Sequence, residues 1–291
     1  MFELARFHFS NVRRVAAVTA VAVLSGCGNC NCTVPAFHGV AGATPGPAAT
    51  ATPAPGAPIV PTPAPTAVPT LAPVAVTCAQ NAITGQGVPL GTDATFAVLA
   101  GSTVTNTGPT LVTGNLGVSP GTAVTGFGPG TGVVTGGAIH AGDPTAAQAQ
   151  LDLTTAYNNA AGRTIPMAAP GDIGGKVLAP GLYKAPVSLA ITGNVTLDGQ
   201  GNPNSVFIFQ MASTLTTSVG SSVTLINLAN ACNVFWQVGS SATLKTGSTF
   251  SGNVLALASI SVGTGSIIDG RLLAGSGAVT LLSDTVTEPG P

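Results

Sequence analysis

The sequence predicts an all-β protein, a parallel β-solenoid (β-helix) with one α-helix laid alongside, and three observations carry that reading. The first is a short motif in which a small residue, any residue and an aliphatic precede Thr or Ser. It returns as "SSVT" at Ser221–Thr224, "SSAT" at Ser240–Thr243, "ASIS" at Ala258–Ser261 and "GAVT" at Gly277–Thr280, at intervals of 19, 18 and 19 residues. A period of about 18 to 20 residues is too short for helix-pair repeats and suits one turn of a solenoid, with three short strands and Gly-rich corners. The second is composition, since 39 Gly and 45% hydrophobic residues against only 6% charged ones favour strands and turns. The third is that a single stretch, "GDPTAAQAQLDLTTAYNNAAGRT" at Gly142–Thr164, breaks the strand pattern and has the signals of a helix.

Residues 1–26 read as an export signal. Arg6, Arg13 and Arg14 precede the apolar run "VAAVTAVAVL" (Val15–Leu24), which is too short to span a bilayer. The run ends in "LSGC" (Leu24–Cys27), which resembles a bacterial lipobox. That resemblance implies cleavage before Cys27 and lipidation of its side chain, so that acyl chains, not a spanning helix, hold the protein to a membrane at the cell envelope or surface. The alternative is an ordinary secretory signal, with Cys27 a plain thiol and the product secreted. Residues 27–77 are expected to form a tether. From Gly42 to Thr77 this segment carries no charge and has Pro every few residues, which favours an extended chain of about 3.1 Å per residue.

The solenoid domain is expected over residues 78–291. Cys30 and Cys32, one residue apart, have no His or Cys cluster downstream at ligand spacing, so no metal site is expected. Cys78 and Cys232 are left as candidate partners for a disulfide that would pin the start of the domain to a later coil in an oxidising compartment. Alternation assigns the faces of the repeats, because successive side chains of a strand point opposite ways. Val223, Leu225, Ala242, Leu244, Ile260, Val262, Val279 and Leu281 are assigned to the core. Thr224, Thr243, Ser261 and Thr280 are assigned to one outward column, with coils about 4.8 Å apart. Ser222, Ser241, Ser259 and Ala278 lie two residues earlier on the same face, roughly 7 Å along the strand. Further copies of the motif bring Thr122 and Thr125, and Thr214 and Thr216, to the same kind of surface. Lys245, two residues beyond Thr243, points the same way and marks either an edge or a weakened copy.

The helix is expected over about 143–162. Asp143 can cap it, Pro144 fits the first helical position, Ala and Gln fill its interior, and Gly162 is placed to end it. One face carries Ala147, Leu151 and Ala161, with Tyr157 or Leu153 beside it, and this face is expected against the solenoid.

Chemistry has little to work with. Eight Lys+Arg and nine Asp+Glu in 291 residues exclude a nucleic-acid partner held by charge. His140 is the domain's one histidine and reads as structural. No zincin or P-loop motif occurs. Asp172, Asp198, Asp269 and Asp284 sit where Asp makes turns. A β-helical polysaccharide lyase would need clustered carboxylates, usually with calcium, and a proton-accepting base, and Asp269 with Arg271 is the nearest approach. No catalytic residue, cofactor, metal or small-molecule substrate is therefore expected.

Phe96–Gly121, Val206–Leu225, Cys232–Ser266 and Gly270–Leu281 together resemble the ice-binding (antifreeze) protein family of polar bacteria, fungi, diatoms and yeasts. The resemblance spans nearly all of Gly91 to Thr287. It implies a discontinuous right-handed β-solenoid of triangular section with a long helix alongside, and one flat face that adsorbs to ice, often through a Thr-(Ala/Gly)-x-(Thr/Asn) pattern. Thr122–Thr125 fits that pattern; the other copies substitute Ser for several Thr. Thr122, Thr125, Thr214, Thr216, Ser222, Thr224, Ser241, Thr243, Ser259, Ser261 and Thr280 are the ice-contacting residues so implied, with an ice crystal surface as the partner. A plain stalk or adhesin built from the same repeats is the competing reading, and it would tolerate bulky outward substitutions.

Overall fold

Strands of three to five residues, rich in Val, Ile, Leu and Thr and punctuated by turns in which Gly takes positive φ, bury little by themselves. They become stable by stacking, each turn of chain covering the next. In the computed structural model, which describes residues 87–289, the chain forms 22 strands, most of them this short, and every strand pair is parallel. Cys27, Cys30, Cys32, the tether and Cys78 lie outside the described residues. All those described belong to the second of two units in the chain, Val68–Pro291.

Each full coil has three strand-bearing sides. On the first lie Phe96–Ala100, Asn115–Val118, Gly181–Lys184, Phe207–Met211 and Val234–Val238, joined by the second halves of Thr249–Ala256 and Ile267–Ala274. The second side is a separate seven-stranded sheet in the order Leu189–Ile191, Leu215–Thr217, Ala242–Leu244, Ile260–Val262, Val279–Leu282, Thr103–Thr107, Ala123–Thr125. The third side carries Val133–Thr135, Leu111–Thr113, Thr285–Thr287, the first halves of the two long strands, Ser222–Ile226 and Asn194–Asp198. First and third sides belong to one fifteen-stranded sheet because the two long strands run round a corner. Gly252 makes that corner at φ 112°, and a Cβ on its neighbour Gly270 would meet the Gly252 carbonyl oxygen at 2.0 Å.

The stack is discontinuous in sequence. Thr103–Thr107, near the start of the domain, pairs with Val279–Leu282, near its end, with Thr105 opposite Thr280. Strands from near the two ends of the domain therefore meet inside the stack, and coils extend away from that junction in both directions.

Inward side chains fill the interior as alternation requires: Val223, Ala242, Leu244, Ile260, Val262, Val279 and Leu281 are buried, while Leu225 is half-buried. Tyr183, Phe209, Trp236 and Phe250 form a ladder of rings across successive coils, with centroids 5.3, 4.2 and 5.2 Å apart. Each such contact adds about 0.5–1.5 kcal/mol beyond area burial. The Trp236 indole N–H donates to the Ser251 carbonyl at 3.1 Å, so its one polar atom is satisfied.

Helix α1 spans Pro144–Ala161, with Asp143 as N-cap accepting from Ala146 N and Gly162 as C-cap. It packs on the first side, against Phe96, Leu99, Ile208, Phe235, Leu255 and Leu273. The expected buried face is corrected: Ala147, Leu151 and Ala161 are exposed, whereas Ala146, Ala149, Leu153, Ala156 and Ala160 are buried. Spacings of 3, 4, 3 and 4 make a continuous stripe of mostly Ala, which lets the helix axis come close to a sheet already bearing bulky side chains. Gln210, projecting from that sheet, donates to the carbonyls of Ala160, Ala161 and Arg163 at 2.8, 3.1 and 3.0 Å and so satisfies the helix C-terminus.

Candidate functional site

The seven-stranded sheet alternates buried aliphatics with outward small or hydroxyl residues, so its outer surface is set by every second residue. Register places Ala190, Thr216, Thr243, Ser261, Thr280, Thr105 and Thr125 in one column across all seven strands. Two residues earlier on each strand lie Ser188, Thr214, Ser241, Ser259, Ala278, Thr103 and Ala123. Neither column contains a charged side chain. The columns are tied laterally: Thr105 Oγ1 donates to Thr280 Oγ1 at 3.3 Å, and Thr214 Oγ1 donates to Ser188 Oγ at 3.1 Å. Rows repeat at about 4.8 Å and columns lie about 7 Å apart.

Of the residues singled out in the sequence, the fold brings Thr125, Thr214, Thr216, Ser241, Thr243, Ser259, Ser261 and Thr280 together on this surface. Thr122 immediately precedes Ala123–Thr125, is exposed and stands at the corner, with its methyl against Gly142. Ser222 and Thr224 are corrected. They belong to the third side, where Ser222 pairs with Asn194 and Thr249, and Thr224 with Thr196. The cause is an unequal coil. From Thr216 to its partner Thr243 the chain runs 27 residues, whereas from Thr243 to Ser261 it runs 18. The longer coil carries an extra excursion around Asn227–Asn233, with Asn227 and Leu228 at positive φ. The 19-residue step from "SSVT" to "SSAT" thus passes from one side of a coil to a different side of the next.

Thr103 and Thr105 were missed as members of the surface, although "STVT" at Ser102–Thr105 carries the motif. Nothing local says that this strand seats beside Thr280. Lys245 is exposed at the margin, following Leu244, which pairs with Val262. It stands at the edge of the hydroxyl surface and not within either column.

The third side makes a poorer grid. Its outward residues mix Val133, Leu111 and Ile267, each at least 40% exposed, with Thr285, Thr249, Asn194 and the carboxylate of Asp269.

His140, Asp143, Asp172, Asp198 and Arg271 make structural contacts. His140 Nδ1 lies 2.7 Å from Asp143 Oδ2, and Asp143 is held below the usual carboxylate range first by the Ala146 N–H and then by His140. Asp172 and Asp198 accept from backbone N–H groups two residues on, as turn formers do. Arg271 is buried and fully engaged, donating to the Ala94 carbonyl, to Asn253 Oδ1 at 2.9 Å and to Glu288 Oε1 at 3.2 Å. It is therefore no base for a neighbouring Asp269. Among the described residues no three His, Cys, Asp or Glu cluster as metal ligands would. Cys232 is buried and disulfide-bonded.

Residues 98–287 match the family model described as Ice-binding-like. An ice-binding protein of Nostoc sp. (strain HG1) is 50% identical over 200 residues, covering 68% of this chain and 73% of its own. The crystal structure of an ice-binding protein from an Antarctic biological consortium is 49% identical, with a TM-score of 0.66, covering 69% of this chain and 90% of that one. An ice-binding protein from an Arctic yeast, 33% identical, also superposes with a TM-score of 0.66, over 71% of this chain and 96% of its own.

Proposed function

The chain belongs to the ice-binding-like family, and on that premise we propose that it adsorbs to ice through the seven-stranded sheet and stops the crystal growing or recrystallising. The observation that carries the choice of face is the register of seven parallel strands, which sets two uncharged columns of small and hydroxyl side chains. An ion orders water in its own geometry, whereas a lattice surface needs weak groups at regular spacing on a rigid support. Thr meets this doubly, since its methyl favours caged water and its hydroxyl anchors that water through a bridging bond. The row and column spacings are of the order of oxygen repeats in hexagonal ice. Ser supplies only the hydroxyl, and Ala only the methyl.

Binding without turnover also fits the chemistry. Arg271 and His140 are committed to structural partners. The lipobox at Leu24–Cys27 and the uncharged Pro-rich segment after it support an exported protein held to the cell envelope by lipid, with its ice-binding domain at the end of a spacer. In this reading the membrane is reached only through that lipid, and neither nucleic acid nor a small molecule is a partner.

The direct experiment is to grow a single ice crystal in a solution of the purified protein and to follow recrystallisation of a fine-grained ice film. Faceted or arrested growth is expected. Rounded, unfaceted growth together with unchanged grain coarsening would sink the proposal.

A further inference from the structure

We propose that a buried rail of hydrogen-bonded side chains beneath one edge of the seven-stranded sheet, centred on Asp284, holds the hydroxyl columns coplanar, which makes Asp284 a positioning residue for ice adsorption. This rests on the assignment of that sheet as the ice-contacting face.

Parallel strands twist relative to their neighbours, and a sheet that stays flat over many strands needs specific side-chain ladders to keep it so. The corner leading from the seven-stranded sheet to the third side contains such a ladder. Asn106 Nδ2 donates to the Gly126 carbonyl of the neighbouring coil at 2.7 Å, and Asn106 Oδ1 accepts from Thr110 Oγ1. Thr110 Oγ1 in turn accepts from Asp284 N, on the next coil, at 3.0 Å. Asp284 Oδ2 accepts from Leu282 N of its own coil at 2.6 Å, and Oδ1 from Ser266 N, one coil further, at 3.0 Å. Ser266 Oγ reaches the Lys245 carbonyl at 3.2 Å, and Lys245 N donates to Thr217 Oγ1 at 2.8 Å. Thr217 Oγ1 also lies 2.9 Å from Ser248 Oγ.

Six of the seven coils are thus joined, in the same order as their strands stand in the sheet. Asn106, Thr110, Asp284, Ser266, Ser248 and Thr217 are all buried, so water does not compete for these bonds. Asp284 is the one ionisable member: its carboxylate ties its own coil to that of Ser266, and its backbone N–H reaches Thr110 on the coil at the other side. Among the described residues, the inter-coil side-chain bonds at the opposite edge of the sheet, such as Thr214 Oγ1 to Ser188 Oγ and Ser276 Oγ to the Leu257 carbonyl, are half-exposed or exposed. There the inter-coil bonds of Ser241 Oγ and Ser259 Oγ to Ser259 N and Ala278 N are 3.3 and 3.2 Å long and half-exposed. Flatness is therefore enforced from the buried corner.

The test compares Asp284→Ala with Asn253→Ala in the full chain. Asn253 is equally buried and bonds three carbonyls, but at the corner facing away from the sheet. Both variants should melt lower than the wild type. Ice activity is then measured just below the freezing point of water, where both are folded by circular dichroism, so lost stability alone moves nothing. Asp284→Ala should lose about threefold or more of its thermal hysteresis at matched concentration, as expected when a site loosens by a fraction of an ångström, and Asn253→Ala should lose none. Asp284→Asn, which keeps one acceptor oxygen, should recover part of the loss. If Asp284→Ala does not fold, Thr217→Val removes one hydroxyl of the rail at near-constant volume; it should melt lower, because Lys245 N loses its acceptor, and show a smaller loss of activity. Undiminished activity in a folded Asp284→Ala or Thr217→Val, or an equal loss in Asn253→Ala, overturns the rail. A wild-type protein that leaves ice untouched overturns the face assignment and the rail's role with it.

Discussion

Replacing Thr243 with Tyr puts the face to its sharpest test. Thr243 is exposed on the third of the seven strands, with two strands on one side and four on the other. A phenol ring there stands above the neighbouring methyls and props the sheet off a flat crystal, so that contact is confined to the four strands from Ile260–Val262 to Ala123–Thr125. Three coils of seven are lost. If each coil contributes about 0.5 kcal/mol through bridging water, the low end for a net hydrogen bond, the loss is about 1.5 kcal/mol. That corresponds to about tenfold in the adsorption equilibrium. The assay is the concentration needed to halt recrystallisation of an ice film, which should rise about tenfold. Thr224→Tyr makes the same chemical change on the third side and should leave that concentration where it was. Both are exposed strand positions that accept aromatic residues, so stability should move by no more than about 0.5 kcal/mol. Wild-type activity in Thr243→Tyr, or an equal loss in Thr224→Tyr, would refute the reasoning.

Three further outcomes are expected. Both carboxylate oxygens of Asp93 are buried without a hydrogen-bond partner, and burial, aided by Asp152 and opposed by Arg271, pushes its pKa up to about 8. An acid with a folded pKa above its unfolded one contributes stability that is full below the unfolded value and lost as pH rises through the folded one, so the melting temperature should fall between about pH 4 and pH 8. Asp269, Asp284 and Glu288 are shifted upward too, so the comparison that isolates Asp93 is the flatter profile of Asp93→Asn; parallel profiles would contradict it. Gln210→Ala strands three helix-end carbonyls and should cost about 1–3 kcal/mol in urea unfolding, with faster amide exchange in the last turn of α1; an unchanged midpoint would show that water replaces the side chain. Cys27→Ala should move the protein from the membrane fraction to the soluble one in the native host, and an unchanged distribution would remove the lipid anchor.

What the sequence made legible was local. Alternation placed Ala242, Leu244, Ile260, Val262, Val279 and Leu281 inside, and cap chemistry set the helix to within a residue, because both depend on side chains a few positions apart. The helix face was misread because Leu151 and Leu153, equal in size and two residues apart, cannot both face the sheet, and packing against Phe96 and Phe235 selected the stripe of four Ala around Leu153. Thr224 was misplaced for a related reason. Its pentapeptide is nearly that of Thr243, but which side a strand occupies depends on the length of the preceding corner, and the excursion at Asn227–Asn233 adds residues that no local pattern announces.

The junction of Thr103–Thr107 with Val279–Leu282 lies beyond any local signal, and it bears most on function. These strands are 175 residues apart at Thr105 and Thr280, yet both occupy the same two columns. Without the junction, the face would divide into a five-strand piece and a two-strand piece. Adsorption to a lattice rises with the number of weak contacts made at once, so joining the pieces gains more than either could alone. The rail crosses this junction too, through Asp284 N and Thr110 Oγ1, which is where strands distant in sequence meet in one sheet. A single uncharged face of seven coils is thus a product of chain closure as much as of the repeated Thr.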